Sequence, residues 1–209
     1  MTQPIAIAGG GARTGAPAAV ERDRRSLLRR GFGLGGAAIA ASSIPLLLSV
    51  RDAFAQATGD AAILEQAINL EQTAVIAYDG VLDAGLLSSD ALRIARRLRD
   101  HERRHAETLT TALTDLGGIP PAPPEGVDAV DNVVEGLGDL KTQAEAVEFL
   151  IELELAGVAA YNDAHGKLLE GRLLQTAASI TAAEGQHLVV LRMLLGTDPV
   201  PDAFETGAR

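Results

Sequence analysis

Glu102 and His105 stand three residues apart in the stretch Asp100-His-Glu-Arg-Arg-His-Ala-Glu107. On a helix that spacing projects both side chains from one face, a turn apart. The device returns near the C-terminus as Glu184-Gly-Gln-His187, and a lone acid precedes each copy, Glu71 the first and Glu154 the second. Four carboxylates and two imidazoles in this pattern are the ligand set of a dinuclear metal site inside a four-helix bundle.

A charge argument supports that reading. Buried carboxylates without partners cost several kcal/mol each even after relaxation, and four facing one another cannot all stay ionised. Two divalent cations would balance four negative charges. The symmetry of the pattern assigns Glu71 and Glu154 to one metal each, Glu102 and Glu184 to bridging positions, and His105 and His187 to completing the two sites. Carboxylate-rich ligation with one imidazole per metal suits two iron or two manganese ions better than zinc.

Tyr78 and Tyr161 follow Glu71 and Glu154 by two helical turns on the same seam. A buried phenol wants an acceptor. Two readings stand side by side: each tyrosine hydrogen-bonds a ligand carboxylate of the opposite hairpin and takes part in the chemistry, or both are ordinary core tyrosines. His101-Glu102-Arg-Arg-His105 also fits the His-Glu-x-x-His pattern of zinc peptidases. Against that reading, the second copy has Ala183 where His101 stands, no third ligand follows at a telling spacing, and Glu71, Glu154, Glu184 and His187 go unexplained.

Four helices are needed to carry these residues. From Asp60, Leu64, Ile68, Glu71, Val75, Tyr78 and Leu82 recur at alternating four and three, a bundle seam. Gly85 and Ser88-Ser89-Asp90 end that helix and cap a second, from about Ala91 to Leu116, whose seam is Leu98, Glu102, His105, Leu109, Ala112 and Leu116. Gly117-Gly118 and the prolines from Pro120 to Pro124 stop it. The segment from Gly117 to Leu140 reads as a long crossover with a short helical turn around Val130–Leu137, letting the third helix start from the opposite end. The third helix, about Thr142 to Leu169, carries Leu150, Glu154, Val158 and Tyr161. The fourth, about Arg172 to Leu195, carries Leu173, Ala177, Ile180, Glu184, His187, Leu191 and Leu194. The Pro-rich tail, residues 196–209, reads as an arm whose Phe204 packs back on the bundle.

The halves repeat. Leu70-Glu71-x-x-x-Val75-x-Ala77-Tyr78 matches Leu153-Glu154-x-x-x-Val158-x-Ala160-Tyr161, offset by 83, and Glu102-x-x-His105-x-x-x-Leu109 matches Glu184-x-x-His187-x-x-x-Leu191, offset by 82. Two hairpins about an approximate two-fold axis would bring all six polar residues to one level.

Residues 1–55 are expected to be an address rather than part of this body (56–195). Arg29-Arg30-Gly31-Phe32-Gly33-Leu34 resembles the twin-arginine signal of bacteria, followed by an uncharged run to Val50 and small-x-small cleavage sites at Ala53-Phe54-Ala55 and Ala55-Gln56-Ala57. A retained transmembrane anchor is the rival reading, since the run is long enough to span, although Gly, Ser and Pro lower its apolarity. The twin-arginine machinery carries folded cargo, which suits a protein that loads metal before leaving the cytoplasm. It would place the chain in the periplasm or outside the cell, membrane-anchored if the signal is retained.

Residues 56–209 hold 11 basic against 25 acidic residues, a net of −14, which argues against a nucleic-acid partner. The basic stripe Arg93, Arg96, Arg97, Arg99, Arg103 and Arg104 is expected to pair with acids of neighbouring helices. With no cysteine there are no disulfides, thiolate ligands or cysteine nucleophiles.

From about Asp60 to Leu195 these residues resemble the ferritin-like superfamily, in its di-metal carboxylate branch with two Glu-x-x-His motifs. The chain is similar to bacterial ferritin-like domain proteins with a twin-arginine signal, also in its Leu116-Gly-Gly-Ile-Pro-Pro121 turn and Pro199-Val-Pro-Asp-Ala-Phe204 tail. The resemblance implies an all-α ferritin-like four-helix bundle and oxygen or peroxide chemistry, iron oxidation or storage. Classical ferritins usually lack the second motif's histidine, present here as His187, so a storage cage fits less well. Rubrerythrins add a rubredoxin-like module, which a chain without cysteine cannot hold. The expected function is therefore redox chemistry on peroxide, dioxygen or ferrous iron, with non-catalytic metal sequestration as the alternative. Such bundles often associate into homo-oligomers, but no exposed apolar stripe marks an interface.

Overall fold

The computed structural model describes residues 52–127 and 136–207, all within one compact unit, Gly36–Arg209. The twin-arginine motif and the uncharged run lie outside the described residues. Four long helices make the body: α1 (Asp60–Asp83), α2 (Ser89–Asp115), α3 (Gln143–His165) and α4 (Gly171–Leu195). The described residues contain no strand. Helices α1 and α2 form one hairpin, α3 and α4 the other, and the hairpins meet chiefly along α1 and α3. The expected all-α bundle of two hairpins is what forms.

Local chemistry sets each helix start. Ser88 caps α2, its hydroxyl accepting from the Ala91 amide. Thr142 and Glu145 form a reciprocal capping box on α3, with bonds of 3.2 and 3.0 Å. Glu170 caps α4 through the Leu173 amide at 2.9 Å. Gly196, at φ 78°, closes α4 in the left-handed conformation that glycine adopts without penalty.

The described parts of the crossover touch α1 at two places. Gln72 donates to the Pro121 carbonyl at 3.4 Å, and farther along Leu137 packs onto Gly80, where a Cβ would come within 2.6 Å of Leu137 Cδ2. The next residues enter α3 beside the α1–α2 turn, where the Ser88 amide donates to Gln143 at 2.7 Å. At the opposite end Asp60 accepts from the Leu169 and Glu170 amides, both at 2.9 Å. Helix α3 therefore runs antiparallel to α1, as a crossover connection requires. The helical turn expected around Val130–Leu137 falls largely outside the described residues; the described part is a 3-10 turn at Leu137–Asp139.

Buried Leu, Ile, Val and many Ala fill the interior. The small side chains Ala77, Ala146, Ala156 and Ala160 are fully buried, which suits close helix approach. Five expected seam positions are less buried than the pattern implies: Val75, Leu82, Ala112 and Leu194 are only half-buried, and Leu116 is 48% exposed while Leu113 is fully buried. Helix α3 ends at His165, short of the expected Leu169. The arm does return, but not through Phe204, which is 84% exposed. Glu205 pairs with Arg192 at 2.8 Å, and Gly207 lies against the α3 backbone at Leu155 and Ala159, so close that only glycine fits.

Residues 52–56 form a helical turn that places Phe54 in the core, 1% exposed, with its carbonyl accepting from Lys167. The packed body thus begins ahead of residue 56. Among the described residues, Arg99 of the arginine stripe reaches a neighbouring helix, at Asp79, while Arg93 and Arg103 pair with Asp90 and Asp100 of their own helix. Among the described residues no helix is long and apolar enough to cross a membrane.

Candidate metal centre

Each helix delivers its acid to the same level of the bundle. Glu71, Glu102, Glu154, Glu184 and His187 are all buried, and His105 is nearly so. They form two tetrads, Glu71, Glu102, His105 and Glu184, and Glu102, Glu154, Glu184 and His187, in each of which one ligand atom per residue lies within 4.8 Å of the others. Glu102 and Glu184 belong to both. The carboxylate of Glu102 is split between them: Oε2 stands 3.2 Å from His105 Nδ1, and Oε1 stands 3.0 Å from His187 Nδ1.

The distances suit a cation in each tetrad better than hydrogen bonds. A ring nitrogen has one hydrogen or one lone pair in the ring plane, so it can satisfy one oxygen. Yet His105 Nδ1 is approached by Glu102 at 3.2 Å, Glu184 at 3.4 Å and Glu71 at 3.6 Å, and His187 Nδ1 by Glu102 at 3.0 Å and Glu154 at 3.1 Å. Ligand atoms at about 2.1 Å from an octahedral cation are about 3 Å from one another, the spacing found here. Glu184 Oε1 is moreover buried with no hydrogen bond, although such atoms are normally satisfied. The donor set fits two hard or borderline divalent cations.

Without cations, protons must take over part of that balance. Burial pushes Glu71 up to about 7, against the nearby His105 imidazole and with the help of the Glu102 charge. Burial, then the charges of Glu102 and Glu154, push Glu184 well up. Burial acts on Glu102 too, but hydrogen bonds from His105 and His187 outweigh it and hold that carboxyl at about 2. The two imidazoles rise to about 10: burial opposes this, but the facing carboxylates of Glu102 and Glu71 lift His105, and those of Glu154 and Glu102 lift His187.

The tyrosines cross between hairpins. Tyr78 of α1 donates to Glu154 Oε1 of α3, and Tyr161 of α3 donates to Glu71 Oε1 of α1. Burial first, and then the neighbouring carboxylates, push both phenols well above their ordinary range, which keeps them protonated as donors. Of the two sequence readings, the one with a carboxylate acceptor in the opposite hairpin is the observed geometry.

His101 does not share a site with His105, as a zinc peptidase would need. Its Nδ1 lies 2.9 Å from His187 Nε2, with the ring centres 5.2 Å apart and the planes 26° from parallel. The spacing in His101-Glu102-Arg-Arg-His105 does not by itself tell which ring His101 meets; its place one residue before Glu102 is the available signal. A second feature missed is a small cavity lined by Leu70, Glu71, Ala74 and Glu102 of one hairpin and by Leu153, Glu154, Gly157 and Glu184 of the other. These are four pairs related by the internal repeat. A Cβ at Gly157 would approach Glu184 Oε2 to 3.0 Å, so this glycine leaves room beside the shared carboxylate.

A crossover bundle of two hairpins with one acid per helix and two Glu-x-x-His motifs defines a class of carboxylate–histidine bundle proteins. The ferritin-like domain family matches residues 59–197, two thirds of the chain and all of the bundle, and the chain belongs to that family. No curated protein and no solved structure matches it.

Proposed function

We propose that the chain is a dinuclear metalloprotein that takes up two iron or two manganese ions and carries out redox chemistry on peroxide or dioxygen, or oxidises ferrous iron. The observation that carries this reading is the pair of buried tetrads sharing Glu102 and Glu184, each with a single imidazole nitrogen. Bound side by side, two such ions supply adjacent centres that can exchange electrons with a small oxygen species.

The chain's own residues have separate tasks. Glu71 with His105, and Glu154 with His187, would hold one ion each, and Glu102 and Glu184 would contribute to both. Tyr161 and Tyr78 fix the orientations of Glu71 and Glu154 and keep a donor hydrogen at those carboxylate oxygens. The cavity between α1 and α3 has room only for a small molecule, and Leu70 and Leu153 wall it with apolar surface.

A second reading, metal sequestration without turnover, draws on the enclosure of the same centre and on the absence of any cysteine-bound electron carrier. Turnover of hydrogen peroxide by the metal-loaded protein separates the two. Full activity retained in a Glu102→Ala/Glu184→Ala double variant would sink the site assignment. The Arg29-Arg30 motif supports export by the twin-arginine route; a variant with Lys at both positions should stay in the cytoplasm, and its normal export would overturn that proposal.

A further inference from the structure

We infer that the two metal positions are unequal, and that His101 is a positioning residue which makes the His187 position the tighter one. The inference rests on the dinuclear reading above. A histidine that ligates through Nδ1 must carry its hydrogen on Nε2, and a second group that accepts this hydrogen fixes both the tautomer and the ring angle. His187 turns Nδ1 to Glu102 and Glu154, and Nε2 to His101 Nδ1 at 2.9 Å. His101 therefore accepts, and its own hydrogen lies on the far nitrogen.

His105 has no such support. Its Nδ1 faces Glu71, Glu102 and Glu184, and no partner from the described residues meets its Nε2. The His105 side chain is 14% exposed, against 3% for His187. The internal repeat explains the difference. The position before Glu102 is His101, whereas the position before Glu184 is Ala183, whose methyl group cannot accept a hydrogen bond. Among the described residues, one imidazole is backed by a second ring and the other is not. The His187 position should fill first and release its ion last; the His105 position is the one through which an ion exchanges.

The test is anaerobic titration of the metal-free full chain with ferrous iron against a competing chelator. Wild type is expected to bind in two steps of different affinity. His101→Ala should weaken the tight step by about 10- to 100-fold and leave the weak step where it was. His101→Asn, whose Oδ1 can replace the accepting nitrogen, should restore the tight step, a rescue that a merely structural role would not produce. Ala183→His should tighten the weak step. Two equal steps in wild type, equal weakening of both steps in His101→Ala, or failure of His101→Asn to restore binding would each overturn the inference. A folded wild-type chain that shows no binding step would overturn the dinuclear reading itself, which the absence of any step distinguishes from loss of asymmetry.

Discussion

Tyr78 donates its phenolic hydrogen across the bundle to Glu154, and its repeat counterpart Tyr161 returns the bond to Glu71. The two bonds join α1 to α3, where the hairpins chiefly meet. Each hairpin thus fixes a carboxylate that the other supplies, so assembly of the bundle and orientation of the centre are the same event. Both bonds are fully buried, with the phenols at most 1% exposed, so neither can be replaced by water without local opening.

Removing one phenol should therefore act on stability and on metal binding together. Tyr78→Phe leaves a buried Glu154 oxygen without its donor, a loss of about 1–3 kcal/mol in the metal-free protein. It should also weaken one bound ion by roughly tenfold or more, since partners of ligating carboxylates commonly have that effect. Urea denaturation and chelator competition measure the two. An unchanged midpoint and unchanged affinity would show that the phenol does not orient the carboxylate.

The metal-free centre predicts an unusual pH dependence. Glu71, Glu184, His105 and His187 all have folded-state pKa values above their unfolded ones, so the folded chain holds extra protons. Such groups contribute their stability below the unfolded pKa and lose it as pH rises through the folded value. The metal-free melting temperature should consequently fall from pH 5 towards pH 10, over the range from the ordinary Glu value through about 7 for Glu71 to about 10 for the histidines. Glu102 acts in the opposite sense, but only in acid, between its ordinary value and about 2. Metal binding must expel those protons, so affinity should rise over the same range and proton release should be detectable in weakly buffered solution. A melting temperature that rises from pH 5 to 10 without metal would contradict the account.

The repeat and the Glu-x-x-His spacing made the helices and the six converging residues legible because both follow from helical periodicity. Periodicity failed where it had to be extended. A strict seven-residue seam drifts by about 20° per heptad on a straight helix. Two heptads beyond Glu102 the seam names Leu116, which is exposed, whereas the eleven-residue step reaches Leu113, which is buried. Phe204 was misplaced for another reason: a phenylalanine in an irregular segment is positioned by neighbours distant in sequence, here Arg192 pairing with Glu205. His101 was visible, but whether it met His105 or His187 depended on how the hairpins dock.

Gly157 gives a test of the cavity. Alanine is the better helix former by up to about 1 kcal/mol, yet its methyl would stand 3.0 Å from Glu184 Oε2 and reduce the small space. Gly157→Ala should keep both ions while slowing reaction with peroxide by roughly tenfold, the usual scale for one added methyl group in a tight pocket. Stopped-flow mixing of ferrous-loaded protein with peroxide reads this directly. An unchanged rate would place the reacting molecule elsewhere.

Phe54 tests where the packed body begins. Phe54→Ala should cost about 3–5 kcal/mol, as expected for a buried phenylalanine, and a chain starting at Gln56 should be less stable than one starting at Asp52 because it also loses the carbonyl held by Lys167. Thermal denaturation of the three proteins decides this. Equal stability would mean that cleavage after Ala55 leaves the bundle intact.

The dinuclear centre itself is tested most directly by metal content per chain, measured by elemental analysis on folded, monodisperse protein prepared with iron and manganese both supplied. Two iron or two manganese ions per chain, falling sharply in the Glu102→Ala/Glu184→Ala variant, are the predicted result. A folded wild-type chain without metal would mean that protons alone balance the six residues, and it would contradict the account.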